Sequence, residues 1–268
     1  MKGKTALITG ASSGIGAAIA QQLAAAGVHL VLVARSEDAL NKLAAQLAAQ
    51  HGMRSTVIAA DLGLPGCGGL LQSRVAASGF DIDMLINNAG FGTYGAFETI
   101  APDVEQDEIA VNVAAVVGLA HAFLPGMLQR GHGAILNVAS TASFQPGPYM
   151  AVYAATKAFV LSFSEALWAE YRGRGIHVAA LCPGAVATGF IDRLADPDVR
   201  KTAVFAVTVR AEQVALRAMA ALRNSKPTYI VGIKNWLMAQ SPRFSPRGLV
   251  AKVGASMLRP AKLADVKR

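Results

Sequence analysis

The 268-residue chain reads as an α/β protein with a doubly wound, seven-stranded parallel sheet and helices on both faces. Three observations carry that reading. Short β-branched runs alternate with longer alanine- and leucine-rich stretches. The composition is 53% hydrophobic and only 16% charged, which suits strands covered on both faces. A glycine-rich turn joins the first run to the first helical stretch, as at the start of a βαβ unit.

The elements follow in order. Strands are expected at 5–9, 29–34, 54–59, 84–87, 133–138, 177–182 and 228–231, with helices near 15–26, 37–50, 67–78, 103–130, 151–172 and 211–224. This alternation predicts parallel pairing through right-handed crossovers. No repeat, long linker or composition break divides the chain. Residues 1–231 are therefore expected to form one domain, and 232–268 an appendage packed on or near the substrate site. Within that appendage, residues 249–258 read as a short amphipathic helix. Covering the sheet edge or the site is one role for it; weak contact with a membrane surface is the other.

Composition excludes several function classes. No apolar run reaches the ~18–20 residues needed to span a bilayer. The first strand starts at Thr5, leaving no room for a signal peptide, so a cytoplasmic protein is expected. Cys67 and Cys182 are too few for a disulfide framework, and the latter follows an apolar run as a buried thiol would. The five histidines show no ligand spacing, so no catalytic metal is expected. Charge is uneven: residues 201–268 hold 13 Lys and Arg against only Glu212 and Asp265. That bias suits a solvated face or an anionic partner. Nucleic acid is not expected, because no recognition motif accompanies the charge.

The cofactor end lies after the first strand. Gly10, Ser12, Ser13, Gly14, Ile15 and Gly16 form a turn that lets backbone N–H groups and a helix N-terminus approach a pyrophosphate. Tyr153 and Lys157 are four apart on a helical stretch and share one face. Ser140 closes the fifth run thirteen residues earlier, and Asn112 lies in the long helix. With Asn87-Asn88-Ala89-Gly90 after the fourth strand and Pro183-Gly184-Ala185-Val186-Ala187-Thr188 after the sixth, these motifs resemble the short-chain dehydrogenase/reductase family, in its compact single-domain branch. The resemblance runs from Lys4 to about Thr188 and implies a Rossmann fold.

The resemblance also implies roles. Asp61 and Leu62 would meet the adenine ring, Asn88, Ala89 and Gly90 would line the cofactor cleft, and Pro183, Gly184, Val186 and Thr188 would meet the nicotinamide. Ala34 stands where NAD-binding relatives carry Asp, and Arg35 follows it. A guanidinium there can pair with a 2′-phosphate, with Ser12 or Ser13 adding a bond, so the expected cofactor is NADP(H). Asn112, Ser140, Tyr153 and Lys157 match the family's catalytic set. Tyrosine would supply the proton, lysine would lower the phenol's pKa and hold the nicotinamide ribose, serine would orient the substrate oxygen, and Asn112 would position a water. Residues 189–208 resemble a lid. Its apolar residues, with Phe144, Pro146, Pro148 and Met150, suit a hydrophobic ketone, aldehyde or 3-oxoacyl substrate. The same set serves an alcohol or steroid dehydrogenase working oxidatively. A non-catalytic dinucleotide sensor would be favoured by loss of the tyrosine or lysine, and both are present. The resemblance implies a homodimer or homotetramer.

Overall fold

The computed structural model describes residues 1–192, 194, 199–200, 202–224 and 226–260. Seven strands form one parallel sheet in the order β3-β2-β1-β4-β5-β6-β7. They are β1 (Thr5–Thr9), β2 (His29–Ala34), β3 (Ser55–Ala59), β4 (Met84–Asn87), β5 (Gly133–Val138), β6 (Ile176–Cys182) and β7 (Thr228–Ile230). Strand order reverses between β1 and β4, so the loops at their carboxyl ends part and leave a crevice there.

The helices are α1 (Gly14–Ala25), α2 (Glu37–His51), α3 (Cys67–Ala77), α4 (Pro102–Ile109), α5 (Ala115–Arg130), α6 (Ala151–Tyr171), α7 (Gly189–Asp192), α8 (Ala211–Ala221), α9 (Ile233–Gln240) and α10 (Arg247–Leu258). Alternation along β1 shows how they layer. Ala6 and Ile8 face Ile19, Leu23, Leu40 and Val214 of α1, α2 and α8. Leu7 faces the opposite layer, with Leu71 of α3 and Leu119 and Phe123 of α5. Leu7 and Ile8 are both fully buried, and truncating such a residue to alanine costs about 2–5 kcal/mol.

The long helix departs from expectation in two ways. It runs 29 residues from Pro102 to Arg130, and an 18-residue stretch within it reaches a mean hydropathy of 1.8, so by length and composition alone that stretch could cross a bilayer. The expectation that no segment reaches that length is corrected. Within this fold the helix packs on α3, β4 and β5 as a core element. The helix also widens into a π turn at Ala110–Ala114. One extra residue in a turn shifts the helix face, and Asn112 sits inside that turn, fully buried.

Other boundaries moved little: β3 starts at Ser55, β6 at Ile176, and β7 keeps three residues. In the appendage, α10 contains the expected helix, and α9 adds one that its sparse apolar pattern did not announce. Of the expected lid, residues 193, 195–198 and 201 lie outside the described residues, as does the tail 261–268.

Candidate active site

The glycine turn is held by contacts no larger residue permits. Gly10 has φ +63°, and a Cβ there would lie 2.9 Å from Asn88 Nδ2. Gly16 does not face the crevice. A Cβ on it would lie 2.3 Å from the Gly10 carbonyl oxygen, so its role is to let α1 close on the turn. The Asn88 amide donates to the carbonyls of Thr9 (2.9 Å) and Gly10 (3.2 Å), and Thr9 Oγ1 accepts from the N–H groups of Asn88 and Ala89, both at 3.0 Å. Asn87 belongs instead to a buried chain: its Nδ2 donates to Asn137 Oδ1 (2.8 Å), whose own amide donates to Ser164 Oγ (2.9 Å). That chain ties β4, β5 and α6 together beneath the site.

A crevice of about 270 Å³ gathers the expected cofactor residues Gly10, Ser12, Ser13, Gly14, Arg35 and Asp61, together with Ile15, Leu62, Asn88, Ala89, Gly90 and Thr188. Its features fit a dinucleotide. The α1 N-terminus carries no acidic residue in its first turn, and its N-cap Ser13 makes no side-chain cap bond, so helix dipole and hydroxyl both remain for an anion. Arg35 is exposed at the crevice edge, with no ion pair among the described residues. Gly14 lets Thr188 approach from across the crevice: a Cβ there would come within 3.1 Å of Thr188 Cγ2.

The crevice opens into a cavity of about 150 Å³, sharing Ile15, Asn88, Gly90 and Thr188 with it. One wall holds Ser140, Tyr153 and Lys157, and Pro183, Gly184 and Val186 lie on the same cavity. The remainder is apolar: Pro146, Met150, Phe190, Val204 and Phe205, closed by Met238 of α9 and by Met257 and Leu258 at the end of α10. Tyr94 packs behind this cavity, its hydroxyl donating to the Leu258 carbonyl at 2.8 Å. Among the expected pocket residues, Phe144 and Pro148 line a neighbouring groove instead, and Val207 points to solvent.

A family model described as short chain dehydrogenase matches residues 4–198. The chain belongs to the short-chain dehydrogenase family. This short-chain dehydrogenase is 38% identical over 192 residues to the very-long-chain 3-oxoacyl-CoA reductase of Anas platyrhynchos, covering 69% of this chain and 61% of that one. It is 37% identical over 188 residues to the inactive hydroxysteroid dehydrogenase-like protein 1 of Homo sapiens, covering 69% and 57%. The chain thus spans about 60% of the length of the curated relatives it matches. Among solved structures, a Sphingobium yanoikuyae short-chain dehydrogenase in complex with NADPH is 33% identical over 99% of this chain and 100% of that one, with a TM-score of 0.78. The bulky-bulky ketone specific alcohol dehydrogenase of Comamonas testosteroni is 30% identical, with both chains covered fully and a TM-score of 0.75.

Around the tyrosine, the short-chain dehydrogenase is braced by residues its motifs did not point to. Ser143 Oγ accepts from Ser140 N (3.3 Å) and donates to the Lys157 carbonyl (2.8 Å), locking serine and lysine to each other. Gly92 gives the tyrosine its room, since a Cβ there would lie 2.8 Å from Tyr153 Cδ2. Asn112, expected to position a water, has its amide engaged on both sides. Its Oδ1 accepts from Phe91 N (3.2 Å), and its Nδ2 donates to Phe91 O (2.9 Å) and Thr156 Oγ1 (3.1 Å). It therefore fastens the segment after Gly90 to α6.

Electrostatics correct one further expectation. Burial pushes the Tyr153 phenol up to about 12; a hydrogen bond with Ser140 pulls it down and Glu108 adds to the rise. Lys157 does not bring it down. Its Nζ lies 5.8 Å from the ring centroid and donates to the Val138 carbonyl at 2.9 Å, and burial lowers its own pKa to about 8 against the opposing charge of Glu108. Glu108 is the group the motif reading passed over. It lies one helical turn before Asn112, fully buried, with Oε2 accepting from Thr93 Oγ1 at 2.9 Å and Oε1 without a partner. Burial raises its carboxyl to about 7, with the Thr93 hydrogen bonds and then Lys157 opposing the rise. Burial likewise raises the Cys182 thiol to about 12, as an inert core residue. Among the described residues no cluster suits a metal ion.

Proposed function

We propose that this chain is an NADPH-dependent reductase of a hydrophobic ketone, aldehyde or 3-oxoacyl substrate. The observation that carries this is the joining of two spaces. Ser140, Tyr153 and Lys157 share one wall of a mostly apolar cavity, and that cavity opens into the crevice at the α1 N-terminus. The printed functions of the relatives, among them a 3-oxoacyl-CoA reductase and a bulky-ketone alcohol dehydrogenase, support the same class.

The residues that would hold the cofactor are the 10–16 turn, Arg35 on the 2′-phosphate, Asp61 and Leu62 beside the adenine, Asn88 to Gly90, and the 183–188 segment. NADPH, when bound, supplies the hydride. Ser140 orients the substrate oxygen, its Oγ held in place by accepting from Ala142 N at 3.1 Å. Tyr153 donates the proton the developing alkoxide needs. A phenol at about 12 stays protonated at neutral pH, and an alkoxide is a stronger base, so the transfer runs downhill. Lys157 carries a positive charge below about pH 8, which favours negative charge on the reacting oxygens.

The free buried thiols Cys67 and Cys182 support a reducing, cytoplasmic setting. The stacked Phe159–Phe163 pair on α6, with Phe159 exposed, supports a homodimer or homotetramer. The test is NADPH oxidation by wild type and Tyr153→Phe with cyclic ketones, aldehydes and 3-oxoacyl thioesters. The wild type turns over and the variant loses at least ~10²-fold in kcat while still binding NADPH. Wild-type activity preserved in the variant would refute the assignment of the proton donor. Tight NADPH binding without turnover on any substrate would favour the sensor reading.

A further inference from the structure

The appendage exposes more apolar surface than a solvent-facing segment needs. Ile233, Trp236 and Leu237 lie at i, i+3 and i+4 of α9, Phe244 stands 87% exposed in the turn after it, and Leu249 and Val253 are one turn apart on α10. Six of the fifteen exposed large apolar side chains among the described residues thus fall between 233 and 253, far more than an even spread would place there. They are interleaved with Lys234, Arg243, Arg247 and Lys252, and the sequence has no acidic residue between Glu212 and Asp265. Apolar projections set in an all-cationic field are the composition of an interfacial surface.

The same elements wall the substrate cavity from inside. Met238 of α9 and Met257 and Leu258 of α10 line it. Beside it, Arg243 and Arg247 line a groove of about 730 Å³ with Pro146, Pro148, Pro242 and Val250, and neither arginine has an ion pair among the described residues. Two guanidiniums four residues apart at the edge of an apolar groove match a phosphate joined to hydrocarbon.

We propose that the outer face of α9, the 241–246 turn and α10 docks on the surface of an anionic phospholipid bilayer, Arg243 and Arg247 meeting headgroup phosphates, so that the substrate cavity stands against the lipid. The docking follows from the surface alone; delivery of a hydrophobic substrate from the lipid rests on the reductase reading. Charge decides against a second copy as the occupant. A two-fold contact through this face would set cations against cations with no acid to answer them.

The test is flotation of the full chain with phosphatidylcholine vesicles, with and without 30% phosphatidylserine, at about 0.1 M and 0.5 M salt. Turnover of a water-soluble ketone and particle mass are measured in parallel. Wild type floats with the anionic vesicles at low salt and is released at high salt. Arg243→Gln and Arg247→Gln each weaken binding about fivefold, and Phe244→Ser weakens it further, all without loss of ketone turnover. In a Trp168→Phe background, Trp236 fluorescence shifts to the blue on vesicle addition. Absence of flotation, equal binding to neutral vesicles, or a drop in particle mass for Phe244→Ser without any flotation would overturn the docking. Flotation without turnover would leave the docking standing and remove only the reductase reading.

Discussion

Glu108→Gln isolates the cost of a carboxylate held inside the protein. In the unfolded chain this carboxyl titrates near 4.5, and in the folded chain near 7. The folded state therefore holds the proton more tightly. Its stability is fully present below pH 4.5 and is lost as pH rises through 7, where a charge must persist beside an unpartnered Oε1. At about 1.4 kcal/mol per pH unit, that interval amounts to roughly 3 kcal/mol. Glutamine keeps an acceptor for Thr93 Oγ1, removes the charge and does not titrate. The variant matches wild type or falls slightly below it at pH 5, and exceeds it by roughly 2–3 kcal/mol at pH 8. Urea denaturation at pH 5, 6, 7 and 8 reads this directly. The window also touches Lys157, which loses the anion that supports its ammonium. With the Lys157 pKa near 8, an alkaline limb of the turnover profile that follows this ammonium moves to lower pH in the variant. Stability curves that run parallel from pH 5 to 8 would refute the reasoning, because a constant offset means that the carboxyl titrates alike in both states.

Three shorter predictions follow from the geometry. Gly92→Ala puts a methyl 2.8 Å from Tyr153 Cδ2, so the ring must move; kcat falls by about 10²-fold while NADPH affinity, measured by fluorescence titration, holds. Asn137→Ala strands the amide of Asn87 in the core and removes the bond that Ser164 Oγ accepts, which costs about 1–3 kcal/mol in chemical denaturation; unchanged stability would remove the bracing role of this chain. Arg35→Asp replaces the cation at the crevice edge by an anion, and the ratio of kcat/KM for NADPH over NADH falls by at least ~10²-fold. A ratio left unchanged would show that the 2′-phosphate is met elsewhere.

Much of the sheet was legible because parallel strands buried on both faces must be written as short apolar runs, and glycine turns follow them where the backbone meets a ligand. The dinucleotide crevice was legible for a related reason. Gly10 and Gly14 adopt left-handed backbone conformations, and Arg35 stands where a strand ends at the crevice, so local sequence already carries the constraint. The π turn at Ala110–Ala114 was not legible, since a single added residue in a helical turn leaves no composition signal. Asn112 was found by position, and its actual bonding to Phe91 and Thr156 depends on how that turn aims it. Glu108 had a readable sign, one turn before Asn112 on the same face, but a lone glutamate in an acidic stretch looks solvated until burial is seen. The walls made by Met238, Met257 and Leu258 could not be read at all: they lie about a hundred residues from the tyrosine, and only the fold brings them back.

Those walls lie beyond the stretch, residues 4–198, that the family model matches. The groups we propose for hydride geometry and proton donation lie in one part of the chain, while the wall that Pro146, Met150 and Phe190 begin is completed from another. Substitutions or length changes in α9 and α10 can therefore redraw which molecules fit while the reactive groups keep their places. A lineage built this way can explore new substrates by drift at its carboxyl end, without first passing through an enzyme that has lost its chemistry.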